Sequence, residues 1–141
     1  MKIPLFYFES EYLKPFKKHA SDAGWDLKSK EDINVAVGKT SAIPTGVSCV
    51  IPEGYVGIIK IRSGISLKGL DATAGVIDSD YRGEIIVLVQ NHTDSEIKIE
   101  QGERVAQIMV IPCLIEAELL SGKAPKDTER GIGGFGSTGN K

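Results

Sequence analysis

The feature of this sequence that most constrains its fold is a succession of short β-type segments separated by turn residues. Glu96–Glu100 alternates strictly between charged and apolar residues, as a strand with one solvent-facing side does. Tyr55–Ile61 and Glu84–Val89 are rich in β-branched residues, and glycine turns recur at the spacing typical of a sandwich or barrel. No window of helical length has a period of 3.6, and one short helix is expected around 66–70. The sequence therefore predicts an all-β fold.

One long apolar segment indicates an oligomer. Val105 to Ile115 is apolar throughout except at Gln107 and Pro112, which is typical of a strand covered on both faces. The chain has 141 residues, close to the usual size of one domain. A single small domain has few residues left to cover the second face of this strand, so a neighbouring subunit is one way to cover it.

Charge and cysteine content exclude several classes of protein. The net charge is −2 and the chain has no basic stripe, so nucleic-acid binding is not expected. Cys49 and Cys113 lie in apolar runs, far in sequence from His19 and His92. We expect two buried, reduced thiols and no zinc site. The first residues do not resemble a signal peptide, and no apolar run approaches the roughly 18 residues of a membrane span. A soluble cytoplasmic protein is expected, with no membrane partner.

The last residues differ in composition from the rest, which divides the chain into a β domain (1–120) and a flexible arm (121–141). A polar, glycine-rich stretch by itself favours a disordered tail. However, Phe135 stands alone among glycines, and Ser137 and Thr138 follow it. Glycine amides and hydroxyl groups suit the binding of an anion. No Gly-Lys-Ser/Thr follows, so the segment is not a Walker loop.

Five polar or glycine-rich segments interrupt the β pattern: Asp22–Leu27, Arg62–Ser66, Ala74–Glu84, Gly102–Gln107 and Arg130–Gly139. Each one alone suits an ordinary turn, cap or strand end. Together, in this order and over about Ala23 to Gly139, they resemble the five motifs of the trimeric all-β dUTPases.

The resemblance implies a jelly-roll-like β-sandwich or barrel of the β-clip type, with three copies around a threefold axis. It implies hydrolysis of dUTP to dUMP and pyrophosphate with Mg²⁺. The active sites of the homotrimer would be shared between subunits, and the mobile arm of one chain would close over a site formed by two others.

The resemblance also assigns roles to residues. Asp78 would be the general base that holds the attacking water, and Asp26 would orient the hydration shell of a Mg²⁺ held mainly by substrate phosphates. Tyr81 would exclude a ribose 2′-hydroxyl, and Phe135 would stack on uracil. The other implied substrate-binding residues are Arg62, Ser63, Gly64 and Gln107 for the phosphates, Gly75, Val76 and Ile77 in the uracil-reading hairpin, and Arg130, Gly136, Ser137 and Thr138 in the arm.

A second group of charged residues has a structural interpretation. Asp80 and Arg82 are expected to pair with neighbouring charges and fix the hairpin, and Arg104 is expected to be a scaffold charge of the same kind. Glu84 is interpreted as a charge at the end of a strand.

Two other functions remain open. Deoxycytidine nucleotide deaminases have a similar architecture, but they carry Arg-Ser-Ser and a hairpin glutamate where this chain has Arg62-Ser63-Gly64 and Asp78. Ammonia release would identify a deaminase and pyrophosphate release a dUTPase. A non-catalytic trimeric binding protein is the alternative from another class, and the full set of motif residues disfavours it.

Overall fold

A computed structural model describes residue 3 and residues 5–141, and its regular structure is almost entirely β. The strands in this part of the chain are β1 (Phe6–Phe8), β2 (Trp25–Lys28), β3 (Ile33–Val35), β4 (Thr40–Pro44), β5 (Val47–Cys49), β6 (Tyr55–Ile61), β7 (Leu70–Thr73), β8 (Val76–Ile77), β9 (Ile86–Asn91), β10 (Ile97–Ile99) and β11 (Arg104–Pro112). A 3₁₀ turn (Glu11–Leu13) and a one-turn helix, α1 (Ser63–Ser66), are added to them. Across these residues, no helix is long and apolar enough to cross a bilayer. The predicted all-β class is confirmed.

The strands form antiparallel sheets around one core. One sheet has the order β2-β11-β6-β8, a second has the order β4-β9-β7, and β1-β5 and β10-β3 are two-stranded ribbons. Strand β11 lies between β2 and β6, and its pairing with β6 runs from Ala106 opposite Ile61 to Pro112 opposite Tyr55. The arrangement is the jelly-roll-like sandwich that was expected.

Alternation along the strands supplies the core. In β9, Val87 and Val89 are buried while Ile86 is exposed, as the period of two requires. Side chains from all four sheets meet in one cluster, whose largest fully buried members are Leu27, Ile43, Leu70, Ile85, Ile99 and Ile108. Burial of each such side chain contributes about 1.5–3 kcal/mol. The core therefore fixes the strand registers that position the site.

The sequence located most strands well and misplaced the helix. The segment predicted at 55–61 coincides with β6, and Ile97–Ile99 forms β10 inside the alternating segment. The helix expected around 66–70 instead spans 63–66. The carbonyl of Arg62 accepts the N–H groups of Ile65 and Ser66, and Gly69, at φ 95°, ends the turn before buried Leu70 begins β7.

The end of β11 corrects one expectation about the cysteines. Cys49 is buried as expected, and this burial raises the pKa of its thiol. Cys113 is exposed, because the pairing of β11 with β6 ends at Pro112; its N–H still donates to the Gly54 carbonyl (2.9 Å), and no strand follows. Residues 113–141 form neither strand nor helix, and the apolar side chains of Leu114, Leu119 and Leu120 are exposed. Only the first half of the long apolar segment is covered by its own chain.

Asn91 links three segments from inside the protein. Its amide nitrogen donates to the carbonyl oxygens of Val35 (2.9 Å) and Ser95 (2.8 Å). Its Oδ1 accepts from the backbone N–H (2.9 Å) and the hydroxyl (2.7 Å) of Thr93. The side chain is buried and uses four hydrogen bonds to join β3, β9 and the turn that precedes β10. It is therefore a structural polar residue.

Replacing Asn91 with alanine should lower the free energy of unfolding by about 2–4 kcal/mol, because buried donors and acceptors lose their partners. Urea unfolding at a fixed protein concentration measures the change. Asn34→Ala is the matched control, because Asn34 is exposed on the neighbouring strand β3. A loss below about 0.5 kcal/mol for Asn91→Ala would contradict this role.

Candidate active site

A carboxylate held by two guanidinium groups forms the first part of the site. Asp26 lies on β2, and its Oδ2 is 3.3 Å from Nε of Arg62 and 3.1 Å from Nη1 of Arg104. Arg62 also donates from Nη1 to the carbonyl oxygen of Arg104 (3.2 Å). All three side chains are partly buried, so solvent screens these ion pairs only in part. The expectation that Arg104 is a scaffold charge agrees with this pairing.

Phe16 holds the carboxylate and one of the arginines in place. Its backbone forms a two-bond bridge with Asp26, from Phe16 N–H to Asp26 oxygen (3.0 Å) and from Asp26 N–H to Phe16 oxygen (2.7 Å). Its ring lies 4.7 Å from Cζ of Arg104, in cation–π contact. Beside these residues is a cleft of about 490 Å³, lined by Phe16, Lys28, Arg62, Gly102, Glu103 and Arg104. We refer to it as the basic cleft.

The other predicted phosphate-binding residues of the body lie next to this cleft. Gln107 lies on β11 directly opposite Asp26 and is half-buried. Ser63 and Gly64 form the exposed start of α1, and a Cβ built on Gly64 would meet no atom within 4 Å. The structure thus brings together Asp26, Arg62, Ser63, Gly64 and Gln107, and their binding of phosphates stays a prediction.

The predicted uracil-reading hairpin forms a separate group around β8. Ala74 (φ 60°) and Gly75 (φ 98°) turn the chain out of β7, and the Gly75 carbonyl accepts the Ile59 N–H at 2.8 Å. A Cβ on Gly75 would lie 3.0 Å from the Ile59 carbonyl oxygen. Val76 and Ile77 then pair with β6. The close approach of β6 explains why a glycine stands at position 75.

Asp78 follows β8 directly and is exposed. It faces a cleft of about 590 Å³, which we call the hairpin cleft and which is lined by Ile51, Glu53, Tyr55, Val56, Val76, Asp78, Ser79, Asp80, Arg82, Cys113 and Ile115. The Asp78 carbonyl accepts the Tyr81 N–H at 3.1 Å and closes the turn. The carboxylate is thus presented to an open cleft by a defined turn.

Tyr81 is held at the hydroxyl end of its side chain. Its hydroxyl donates to the Glu84 carbonyl oxygen (2.8 Å), and its ring lies against Gly83, where a Cβ would be 2.5 Å from Tyr81 Oη. Glu84 in turn accepts the N–H of Gly46 at 2.8 Å. The expectation of a simple strand-end charge at Glu84 therefore missed a contact that ties the hairpin to β5.

Arg82 fixes the hairpin in a different way from the one expected. Its Nη1 donates to the carbonyl oxygens of Ser79 (2.6 Å) and Tyr81 (3.2 Å). Neither Arg82 nor Asp80 forms an ion pair with the described residues. The correction has a physical reason: a tight turn leaves free carbonyl groups close at hand, and a guanidinium can bind them without a carboxylate.

The arm residues form a string of tight turns of their own. Arg130 donates from Nε to the Gly133 carbonyl (2.6 Å), and Ser137 N–H donates to the Gly134 carbonyl (3.0 Å). Phe135 has a φ of 49° and is fully exposed. Thr138 and Gly136 lie in the same exposed turn. Within one chain, therefore, the predicted arm residues contact neither the basic cleft nor the hairpin.

The two groups on the body are also far apart. Ile77 lies opposite Gly57 in the antiparallel pair, so Asp78 is beside Val56, and Arg62 follows six residues later. At about 3.3 Å per residue this is roughly 20 Å along β6. One chain thus presents a carboxylate on one cleft and the phosphate-type donors on another.

The donor set near Asp26 fits a magnesium ion that keeps most of its water. In the described part of the chain, no three His, Cys, Asp or Glu side chains cluster to hold a metal. Asp26 engages both arginines through Oδ2, which leaves Oδ1 without a partner among the ion pairs of this region. One hard carboxylate oxygen suits Mg²⁺, which binds through one or two carboxylates plus substrate phosphates.

Sequence reasoning missed two residues of the basic cleft, Phe16 and Lys28. The signal for Lys28 was present, because it stands two residues after Asp26 in a strand and therefore on the same face. No sequence signal marked Phe16, since its role depends on a bridge between distant segments.

The fold and the site together define a class of protein. It is an all-β protein that carries a carboxylate on a turn and, separately, a basic cleft. The dUTPase family profile matches residues 12–139. The deoxyuridine 5′-triphosphate nucleotidohydrolase of Nautilia profundicola is 42% identical over 142 residues, which covers 99% of each chain. The chain belongs to the dUTPase family.

Solved structures agree with this assignment. A mutant dUTPase of Staphylococcus bacteriophage 80alpha, solved with dUpNHpp, has a TM-score of 0.87 at 29% identity, with 99% of this chain and 100% of that one covered. A mutant dUTPase of the S. aureus phage phi11, described as coordinating a structural Mg(II) ion, has a TM-score of 0.74 at 26% identity and covers 86% of this chain and 98% of its own.

Gly75→Ala should lower the free energy of unfolding by about 1–3 kcal/mol, because it combines an unfavourable φ with a contact to the Ile59 carbonyl. Gly64→Ala is the control, since its Cβ would enter open space. This control should change stability by less than about 1 kcal/mol. Urea unfolding of both variants at equal concentration is the measurement, and equal losses would refute the explanation.

Proposed function

We propose that this protein is a dUTP diphosphatase that hydrolyses dUTP to dUMP and pyrophosphate. The observation that carries the proposal is the pairing of an exposed, turn-held Asp78 with a basic cleft, in a chain of the dUTPase family. In a cell, this reaction limits uracil incorporation into DNA and supplies dUMP for thymidylate synthesis. We place the protein in the cytoplasm.

Asp78 acts as the general base. Hydrolysis at the α-phosphorus requires a water molecule aimed in line with the leaving pyrophosphate. The Asp78 carboxylate accepts a proton from that water as its oxygen attacks. The hydrogen bond from Tyr81 N–H to the Asp78 carbonyl and the Arg82 bonds to the same turn hold the carboxylate in place. Because the base is already positioned before the substrate binds, the entropy cost of orienting it is not added to the activation barrier.

The basic cleft binds the phosphates. Arg62 and Gln107 donate to phosphate oxygens, and the exposed amides of Ser63 and Gly64 approach from α1. The open space around Gly64 supports this, because a phosphate can come close to a residue without a side chain. A bound Mg²⁺ would neutralise charge on the phosphates and on the leaving pyrophosphate, and Asp26 would hold its hydration shell. Arg62 exchanges Asp26 for phosphate oxygens when the nucleotide binds.

The hairpin selects uracil and deoxyribose. Backbone groups of Gly75, Val76 and Ile77 read the Watson–Crick edge of the base, and a tight floor under C5 rejects the methyl group of thymine. The Tyr81 ring, held by its hydroxyl against the Glu84 carbonyl, leaves no room for a 2′-hydroxyl. Moving that ring aside for a ribonucleotide would break its hydrogen bond to the Glu84 carbonyl.

The active site is shared between the subunits of a homotrimer. A general base must lie within hydrogen-bond reach of its water, which attacks the phosphorus that the phosphate donors hold. The separation of about 20 Å between Asp78 and Arg62 along β6 supports a site in which these two groups come from different chains. Two chains supply the two groups, and the arm of a third brings Arg130, Ser137 and Thr138 to the phosphates and Phe135 to the base. Gly136 lets the arm approach closely. Residues 1–120 form the body and 121–141 the arm.

Pyrophosphate release from dUTP, compared with dTTP, dCTP and UTP and with and without Mg²⁺, tests the activity. We expect rapid, magnesium-dependent release from dUTP alone. Ammonia release from a deoxycytidine nucleotide would identify a deaminase. Binding of dUTP without turnover of any nucleotide would favour the non-catalytic alternative.

Asp78→Asn should lower kcat by about 10²–10⁴ because the amide cannot accept the proton, while the affinity for dUpNHpp is largely retained. The matched control is Asp94→Asn, since Asp94 lies in an exposed turn between β9 and β10. Steady-state kinetics and analogue titration provide both measurements. An Asp78→Asn enzyme within threefold of the wild-type rate would remove Asp78 from this role.

Removing Thr128–Lys141 should abolish turnover and leave a folded, assembled protein. The last strand ends at Pro112, so the core keeps its residues, whereas Arg130 and Phe135 are lost. Ordering of the glycine-rich arm costs roughly 1–2 kcal/mol per residue, and only ligand contacts offset this. A chain lacking Asn140 and Lys141 alone is the control. Sedimentation, thermal melting and a dUTP assay are compared. Near-normal hydrolysis by the truncated chain would refute the role of the arm in closing the active site. Loss of assembly would show that the arm holds the subunits together.

A further inference from the structure

The basic cleft contains a cation that the five motif assignments leave without a role. Lys28 ends β2, two residues after Asp26, so both side chains are on the same face of the sheet. It lies directly opposite Arg104 in the register between β2 and β11. Lys28 lines the basic cleft together with Arg62 and Arg104. Three strands or strand ends thus place three cations around one opening.

The charges of the cleft are unequally satisfied. Arg62 and Arg104 share the single carboxylate of Asp26. Glu103 also lines the cleft, but its Oε1 is 3.3 Å from Nζ of Lys68 on the outside. Lys28 forms no ion pair with any described residue, although its side chain is half-buried. The cleft therefore carries a net positive charge, and Lys28 is its unpaired member.

We infer that Lys28 is a further substrate-binding residue, which contacts the outer phosphates of the bound nucleoside triphosphate. The inference rests on the proposed function, because that function puts the phosphates beside Arg62. An ammonium group is a compact charge with three donors and can bind phosphate oxygens that the arginines do not reach. Its position across from Arg104 puts it on the β2 side of the cleft, with β11 between it and the β6 end that carries Arg62, so it can reach phosphate oxygens on the side of the cleft opposite Arg62.

Lys28 then acts on the triphosphate and not on the nucleoside. A nucleotide with one phosphate ends before the outer phosphates and gains nothing from this residue. Substrate and product are therefore distinguished in part by Lys28, which strengthens the binding of dUTP and leaves that of dUMP unchanged. A lysine that served only to solubilise the surface would affect neither.

The test compares the dissociation constants of dUpNHpp and dUMP by calorimetry on the assembled, full-length protein with magnesium. Lys28→Met keeps the aliphatic stem and should weaken dUpNHpp binding about 5–20-fold, with less than a twofold change for dUMP. Lys28→Gln is a second neutral variant, and Lys28→Arg should stay within about threefold of the wild type. Lys98→Met is the control, because Lys98 is exposed on β10, outside the cleft.

Arg62→Gln separates failure of this inference from failure of the proposed site. If Arg62→Gln weakens dUpNHpp binding while both neutral variants of Lys28 bind it like the wild type, the role of Lys28 is wrong and the phosphate cleft stands. If none of these variants weakens dUpNHpp binding, the phosphate cleft itself is wrong. Equal weakening of dUpNHpp and dUMP by the Lys28 variants would make Lys28 a structural residue and also overturn the inference.

Discussion

The pairing of β11 with β2 on one edge and β6 on the other is the interaction on which the site depends. It brings Gln107 opposite Asp26, and it carries the backbone of β6 to the point where Arg62 meets the Arg104 carbonyl. Residues from three distant parts of the sequence become neighbours because Leu27, Ala106 and Ile108 are buried in the core and thereby fix these strand registers. A slip by one residue would turn the donors into the core, which the cost of burying charge prevents.

Strand β6 contributes to the basic cleft and also keeps the hairpin with Asp78 at a distance from it. Strand β6 carries the hairpin beside Val56 and the basic cleft at its other end. A β-strand is extended and stiff within a sheet, so this separation cannot be closed by bending. The rigid body therefore supports the proposal of an active site shared between chains, in which the segment after Pro112 would reach a neighbour. On that proposal, activity depends on assembly of the subunits.

Local patterns in the sequence were sufficient for most of the strands, and the motif segments supplied the candidate site residues, which stay predictions. Alternation located β10, β-branched residues located β6, and the motif segments named Asp26, Asp78 and Arg62. The sequence could not indicate that Asp26 is shared by two arginines, because that depends on a bulge between Arg104 and Ala106 in the pairing of β11 with β2. It also could not show that Cys113 is exposed. An apolar neighbourhood in sequence predicts burial, but burial requires side chains packed over the residue, and among the described residues the pairing of β11 with β6 ends at Pro112 and Tyr55.

The apolar segment that follows β11 also affects the newly made chain. Ile111 is 43% exposed and Leu114, Leu119 and Leu120 are 80–91% exposed, so an unassembled chain presents several large apolar side chains to solvent between Ile111 and Leu120. Such surfaces are the ones that chaperones bind and that promote aggregation. If other copies in the proposed homotrimer cover this segment, folding of the body and burial of the segment are successive steps of one process. The yield of usable protein then depends on how quickly chains meet, and dilute or slowly synthesised chains are the most exposed to loss by degradation.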